Sequence, residues 1–145
     1  MQDGSELNAE DVLFSYRRAS SEEADVRSWF APVSDVVLVD DYTVDILTNS
    51  PQPLFPDSIA NWMMMDAGWA EANGAELPSR DTENFATRNV NGTGAFMLES
   101  RQPDLETVLA PFEGWWGEAD HGITQAIFTP IQNSATAVAA LLSGE

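Results

Sequence analysis

Carboxylates are the most abundant reactive groups in this chain. Asp and Glu number 24 against six basic residues, all of them arginine, giving a formal charge of −18 over 145 residues. Two adjacent pairs, Glu22/Glu23 and Asp40/Asp41, are the residue types that serve paired-carboxylate hydrolysis. Their settings point elsewhere. The first pair lies in a polar linker and the second at the tip of a hairpin, where acids are simply solvated. The rival reading, an acidic hydrolase domain using paired carboxylates, requires two acids converging in a deep pocket with raised pKa values. Calcium-loop spacing is absent. His121 is the only histidine and there is no cysteine, so neither a transition-metal site nor a Cys/His dyad can be assembled around it. It is expected as a loop residue. No catalytic residue, metal ligand or cofactor is assigned. Gly92-Thr93-Gly94 lacks the lysine and following helix of a phosphate loop. It is expected to be a strand-opening turn with glycine at positive φ.

The aromatic residues offer a different chemistry, binding without bond-making. Trp29 and Phe30 stand in a short loop or turn after the first helix, where an aromatic ring can wall a peptide side chain or stack on an apolar ligand. The competing role is packing against the next hairpin. Trp62 and Trp69 sit among apolar neighbours and are expected in the core. Trp115 and Trp116 are expected to cover a sheet end, with room for one to be exposed.

These residues need elements to position them. Asn8 as N-cap, with Glu10 and Asp11 behind it, opens a helix over 9–19 carrying Ala9, Val12, Leu13 and Tyr16 at helical spacing and Arg17 and Arg18 near its end. Residues 35–39 and 42–48 form a hairpin, with Tyr42, Val44 and Ile46 on one face. Pro51, Pro53 and Pro56 end it and lead to a short helix near 54–61. Asp66 caps a helix to about Ala72, closed by Asn73-Gly74. A helical turn is expected at 82–86. Residues 95–100 and 106–110 form a second antiparallel pair, 123–130 a further strand, and Asn133 caps a last helix over 135–142. Strands and helices mix without βαβ alternation, so the fold class is α+β.

Composition bounds the partners. At 43% hydrophobic residues, the chain can bury a core. Its negative field repels nucleic acid and anionic membrane surfaces. No apolar run approaches the roughly 20 residues of a membrane span. The polar stretch Met1 to Glu6 is not a signal peptide.

Five segments carry a family resemblance across essentially the whole chain. They are Asp3-Gly4-Ser5 with Asn8-Ala9-Glu10-Asp11-Val12-Leu13-Phe14-Ser15, the hairpin Val36 to Val44 around Asp40-Asp41-Tyr42-Thr43, the turn Asn91-Gly92-Thr93-Gly94-Ala95-Phe96, the loop Glu113-Gly114-Trp115-Trp116-Gly117, and the run Ile131 to Glu145. In this order and spacing they resemble the family 5 extracellular solute-binding proteins, which serve dipeptide, oligopeptide and nickel ABC importers. Two positions depart from the family pattern. Ala95 stands where proline is usual, loosening the turn, and Trp115 replaces a usual polar residue.

The resemblance implies a two-lobed clamp that closes on its ligand, a carrier and not an enzyme. Residues 1–90 would be a small α+β subdomain of lobe one, and 91–145 a segment returning to the larger lobe, truncated at both ends. The second lobe, which in peptide binders holds the ligand's amino group, would lie outside the chain. Trp29 and Phe30 would approach the cleft. The implied partners are a peptide or similar solute and an ABC permease, and the implied location is periplasmic or extracellular. A fragment cut in this way would leave Val138, Leu141 and Leu142 exposed, favouring dimerisation.

Overall fold

The computed structural model describes residues 1–118 and 122–144, so His121 lies outside the described residues. The chain divides into two compact units, Met1–Thr93 and Gly94–Glu145. Both mix helices with antiparallel strands, giving an α+β fold.

In the first unit, α1 (Ala9–Ala19) begins where Asn8 accepts the backbone N–H groups of Glu10 and Asp11 at 2.8 and 3.3 Å. Asp11 returns the bond, accepting the Asn8 N–H at 2.9 Å, so two otherwise orphaned donors are satisfied. Arg17 and Arg18 lie in the last turn, complementing the helix dipole. A single 3-10 turn, Arg27–Phe30, leads into the hairpin of β1 (Val33–Asp40) and β2 (Thr43–Thr48). Val36 pairs with Ile46 and Leu38 with Val44, with irregularities near both ends of β1. The core gathers Ala19, Phe30, Val33 and Val36, flanked by Leu13, Tyr16, Val44 and Ile46.

Tyr42 departs from the expected face. Its N–H donates to the Asp40 carboxylate at 2.9 Å, which makes it a turn residue ahead of β2. The ring is 71% exposed, and its hydroxyl donates to Glu6 at 2.8 Å.

After the hairpin, α2 (Phe55–Ser58) is a single turn with Pro56 near its start. α3 (Ala67–Ala72) is capped by Asp66, whose carboxylate accepts the Trp69 N–H at 2.6 Å, and Gly74 follows at φ 61°. The helical turn expected at 82–86 is a 3-10 turn at Phe85–Thr87, opened by Asn84 in a reciprocal cap with Thr87.

The second unit is a three-stranded antiparallel sheet, β3 (Phe96–Gln102), β4 (Glu106–Pro111) and β5 (Ala126–Phe128), in that order. β5 is shorter than the expected strand over 123–130, since only Ala126 to Phe128 pair with β4. α4 (Ser134–Ser143) is capped by Asn133, which accepts from Ala135 and Thr136, and ends at Gly144 in the left-handed region. Val138, Leu141 and Leu142 on α4 are exposed, Leu142 to 83%.

The Asn91–Gly94 turn also differs from expectation. Gly92 and Gly94 are not among the glycines at positive φ, which are Gly4, Gly74 and Gly144. A side chain shapes this turn instead. Asn91 is buried and its Oδ1 accepts the Asp3 N–H at 3.1 Å, while the Gly92 N–H donates to Gln2 at 3.4 Å. With the chain held from outside, no left-handed residue is needed.

Two predictions rest on these bonds. Asp11 is 5% exposed and accepts both the Asn8 and Ala67 N–H groups. Asp11→Ala leaves both donors unpaired and is expected to lower unfolding free energy by about 2–3 kcal/mol in urea titration, with Asp11→Asn costing less because one acceptor survives. The Asp40 carboxyl is held below its ordinary 3.8 chiefly by the Tyr42 backbone N–H, aided by the Thr43 hydroxyl. A depressed folded-state pKa contributes stability above the unfolded value and loses it as pH falls through the folded one. A carboxyl NMR titration is therefore expected to place the Asp40 midpoint below that of an unstructured aspartate.

Candidate ligand-binding site

The buried stripe of α1 reads Ala9, Asp11, Ser15 and Ala19, so two of its four members are polar. Positions four apart share a helix face, and both polar side chains are satisfied by the same neighbour. The Ser15 hydroxyl accepts the Met65 N–H at 2.8 Å and donates to the Met65 carbonyl at 3.3 Å. Asp11 accepts the Ala67 N–H at 2.8 Å. Asp66 adds a bond from the Ser5 hydroxyl. The irregular stretch before α3 is thereby held along α1, and with it Trp62, Met63, Met64 and Met65.

Opposite this stretch stands the Arg27–Phe30 turn, closed by the Trp29 N–H donating to Val26 at 2.9 Å. The tight turn sends its two aromatic residues to different environments. Phe30 is 4% exposed and packs edge-on against Tyr16 and Trp62, at centroid distances of 5.6 and 4.9 Å. Trp29 is half-buried and lines a cavity of about 340 Å³. Trp62, the three methionines and Arg18 share that lining.

Aromatic and thioether surfaces give this cavity an adaptable apolar wall. Two residues of the lining carry side-chain N–H groups. The Trp62 indole N–H is buried without a hydrogen-bond partner, an uncommon condition in folded proteins. The Arg18 Nε donates to the Ala75 carbonyl at 3.4 Å, and burial lowers the pKa of its guanidinium.

Trp29 and Phe30 are thus adjacent in sequence but separate in role, one at the cavity and one in the core. Trp62, expected only in the core, both packs on Phe30 and lines the cavity. Trp69 pairs with Phe85 at 5.5 Å. Trp116 is exposed beside the half-buried Trp115. Arg18 and the methionine run were not anticipated as site residues. Arg18 sits in a last helical turn, where arginine is commonplace, and Met63-Met64-Met65 reads as an ordinary apolar run.

The paired acids form no site. Glu22, Glu23, Asp40 and Asp41 are all exposed. Among the described residues the carboxylates with shifted titration, Asp3 and Asp40, both move downward through hydrogen bonds at the surface, the reverse of what a general acid needs. The paired-carboxylate hydrolase reading is not supported.

Residues 2–145 match the family described as Bacterial extracellular solute-binding proteins, family 5 Middle. The chain belongs to this family. Among curated relatives it is similar to the periplasmic murein peptide-binding protein MppA of Escherichia coli K12, 23% identical over 162 residues, covering 99% of this chain and 29% of that protein. It is also similar to the dipeptide-binding protein of the same organism, 28% identical over 127 residues, covering 77% of this chain and 23% of that one. The chain therefore spans less than a third of the length of either relative. In structure it resembles the unliganded open form of MppA (TM-score 0.79, 21% identity, 99% of this chain and 30% of that one). It also resembles NikZ of Campylobacter jejuni in complex with Ni(L-His) (TM-score 0.78, 21% identity, 99% and 28%). The fold is that of solute-binding proteins.

The Ser15 bonds carry a prediction about the cavity. Ser15→Ala removes the hydroxyl that bonds both the Met65 N–H and its carbonyl, so amide exchange at Met65 is expected to accelerate, with about 1–2 kcal/mol lost in urea unfolding. Unchanged exchange at Met65 would show that the segment is held by other means.

Proposed function

We propose that this chain is part of the substrate-binding component of an ABC importer, working outside the cytoplasmic membrane, in the periplasm or its equivalent. Its task is capture and delivery to a membrane permease. It makes and breaks no covalent bond. The observation that carries this reading is the family match over residues 2–145. Support comes from the names of its relatives, which bind murein peptide and dipeptide, and from a fold shared with a binder of Ni(L-His). No described helix is long and apolar enough to cross a membrane.

In this reading residues 1–90 form a small subdomain of lobe one and 91–145 return to the larger lobe. The break between the two compact units at Thr93/Gly94 is in keeping with it. Trp29 supplies a wall for the ligand, and Phe30 backs Trp62 from the core. The ligand is a peptide or a similarly small solute. The apolar face of α4 meets another segment of the full-length protein and, in the isolated chain, would meet a second copy.

Calorimetry and mass spectrometry on the full-length protein test the reading. Denaturation is expected to release a small solute or peptide, and the emptied protein is expected to bind it saturably and leave it chemically unchanged. Trp29→Ala is expected to weaken binding about tenfold, the scale of an aromatic anchor. Turnover of the solute without saturable binding would overturn the proposal.

A further inference from the structure

The sulfur of this chain is gathered largely in one place. The sequence has no cysteine and five methionines. Three of the methionines, Met63, Met64 and Met65, lie side by side on the lining of the Trp29 cavity. With no thiol in the chain, these thioethers are the softest nucleophiles it offers to an oxidant. They differ in reach. Met63 is 78% exposed while it lines the cavity, and Met64 and Met65 are half-buried. Met97, 40% exposed on β3, belongs to the other unit.

Hydrogen peroxide meeting Met63 has a simple reaction. The sulfur donates a lone pair to one peroxide oxygen and the O–O bond breaks. The second oxygen takes the proton of the first and leaves as water. Sulfur is oxidised to the sulfoxide and the peroxide is reduced. A flexible apolar side chain thereby becomes a polar one with an acceptor oxygen. The fold has little to lose by this, because Met63 is exposed. The cavity has more to lose, since Trp29, Trp62, Val26 and Pro78 make much of its remaining lining apolar. The bonds between Ser15 and the Met65 backbone hold the segment, so oxidation alters the chemistry of the wall and not its position.

We infer that Met63 is an oxidation site that regulates the Trp29 cavity. The thioether form takes an apolar ligand, and the sulfoxide form takes the same ligand less well. A thiol-dependent methionine sulfoxide reductase reverses the change, releasing the oxygen as water and leaving the thiols as a disulfide. This inference rests on the proposed ligand-binding role of the Trp29 cavity and names the regulation of that site.

The test uses the full-length protein and N-phenyl-1-naphthylamine, a neutral apolar fluorophore. After brief hydrogen peroxide treatment, peptide mapping by mass spectrometry is expected to show Met63 sulfoxide forming ahead of that at Met64, Met65 and Met97. Oxidation is expected to weaken probe binding about fourfold, the scale of one methylene's apolar contact. Reductases for both sulfoxide epimers are expected to restore it. Met63→Leu is expected to bind the probe equally before and after peroxide, whatever its starting affinity. Met63→Gln, polar without oxidation, is expected to bind more weakly than the untreated wild type. Trp29→Ala is expected to weaken binding in either redox state, and circular dichroism establishes that each variant is folded. Oxidation of Met97 ahead of Met63, a peroxide effect that persists in Met63→Leu, or complete Met63 oxidation with binding unchanged overturns the regulatory inference. If Trp29→Ala still weakens the probe, the cavity remains a ligand site. Probe binding that ignores Trp29→Ala, or that is missing from the wild type, overturns both.

Discussion

The first unit depends on a polar seam inside an otherwise apolar contact. Asp11 and Ser15 lie on the buried face of α1, where unsatisfied groups would be costly, and each is satisfied by backbone from the segment leading into α3. Hydrophobic contact alone is tolerant of small slips. Hydrogen bonds with fixed donors and acceptors are not. Because Met65 and Ala67 must present specific backbone atoms to α1, the stretch from Trp62 to Met65 has one place to lie, and that place forms a wall of the cavity.

The facing wall has a different physical origin. The Arg27–Phe30 turn gives neighbouring side chains different directions, so Phe30 enters the core and Trp29 does not. Phe30 then meets Trp62 edge-on at 4.9 Å, a favoured geometry for aromatic pairs. One ring of the cavity is thus steadied from the core. Arg18, on the same helix as the seam, completes the lining. A single helix therefore holds one wall in place, contributes Leu13 and Tyr16 to the packing around the core, and supplies the cavity's cationic group.

The second unit has fewer internal restraints. β5 pairs over three residues and α4 has no buried residue. Its apolar side chains are of the kind proteins ordinarily cover. That pattern fits a chain spanning 29% of MppA and 23% of the dipeptide-binding protein.

Much of the local structure was legible in the residues themselves. Asn8, Asp66 and Asn133 cap the helices they precede, because a short polar side chain ahead of an apolar periodic run has few better uses than the free N–H groups behind it. The β-branched runs around Asp40-Asp41 form the hairpin for equally local reasons. The family was legible too, since its motifs are contiguous. Tertiary structure decided what depends on distant partners. It separated Trp29 from Phe30, and it put Tyr42 in the turn instead of on the packed face. It shaped the Asn91–Gly94 turn through Asp3 and Gln2, residues almost ninety positions away, where glycine's left-handed freedom had been the local expectation. It also brought Arg18 to the wall of a cavity that it shares with Trp29 and Trp62. No spacing rule reveals that, because a cavity wall is assembled from segments distant in sequence.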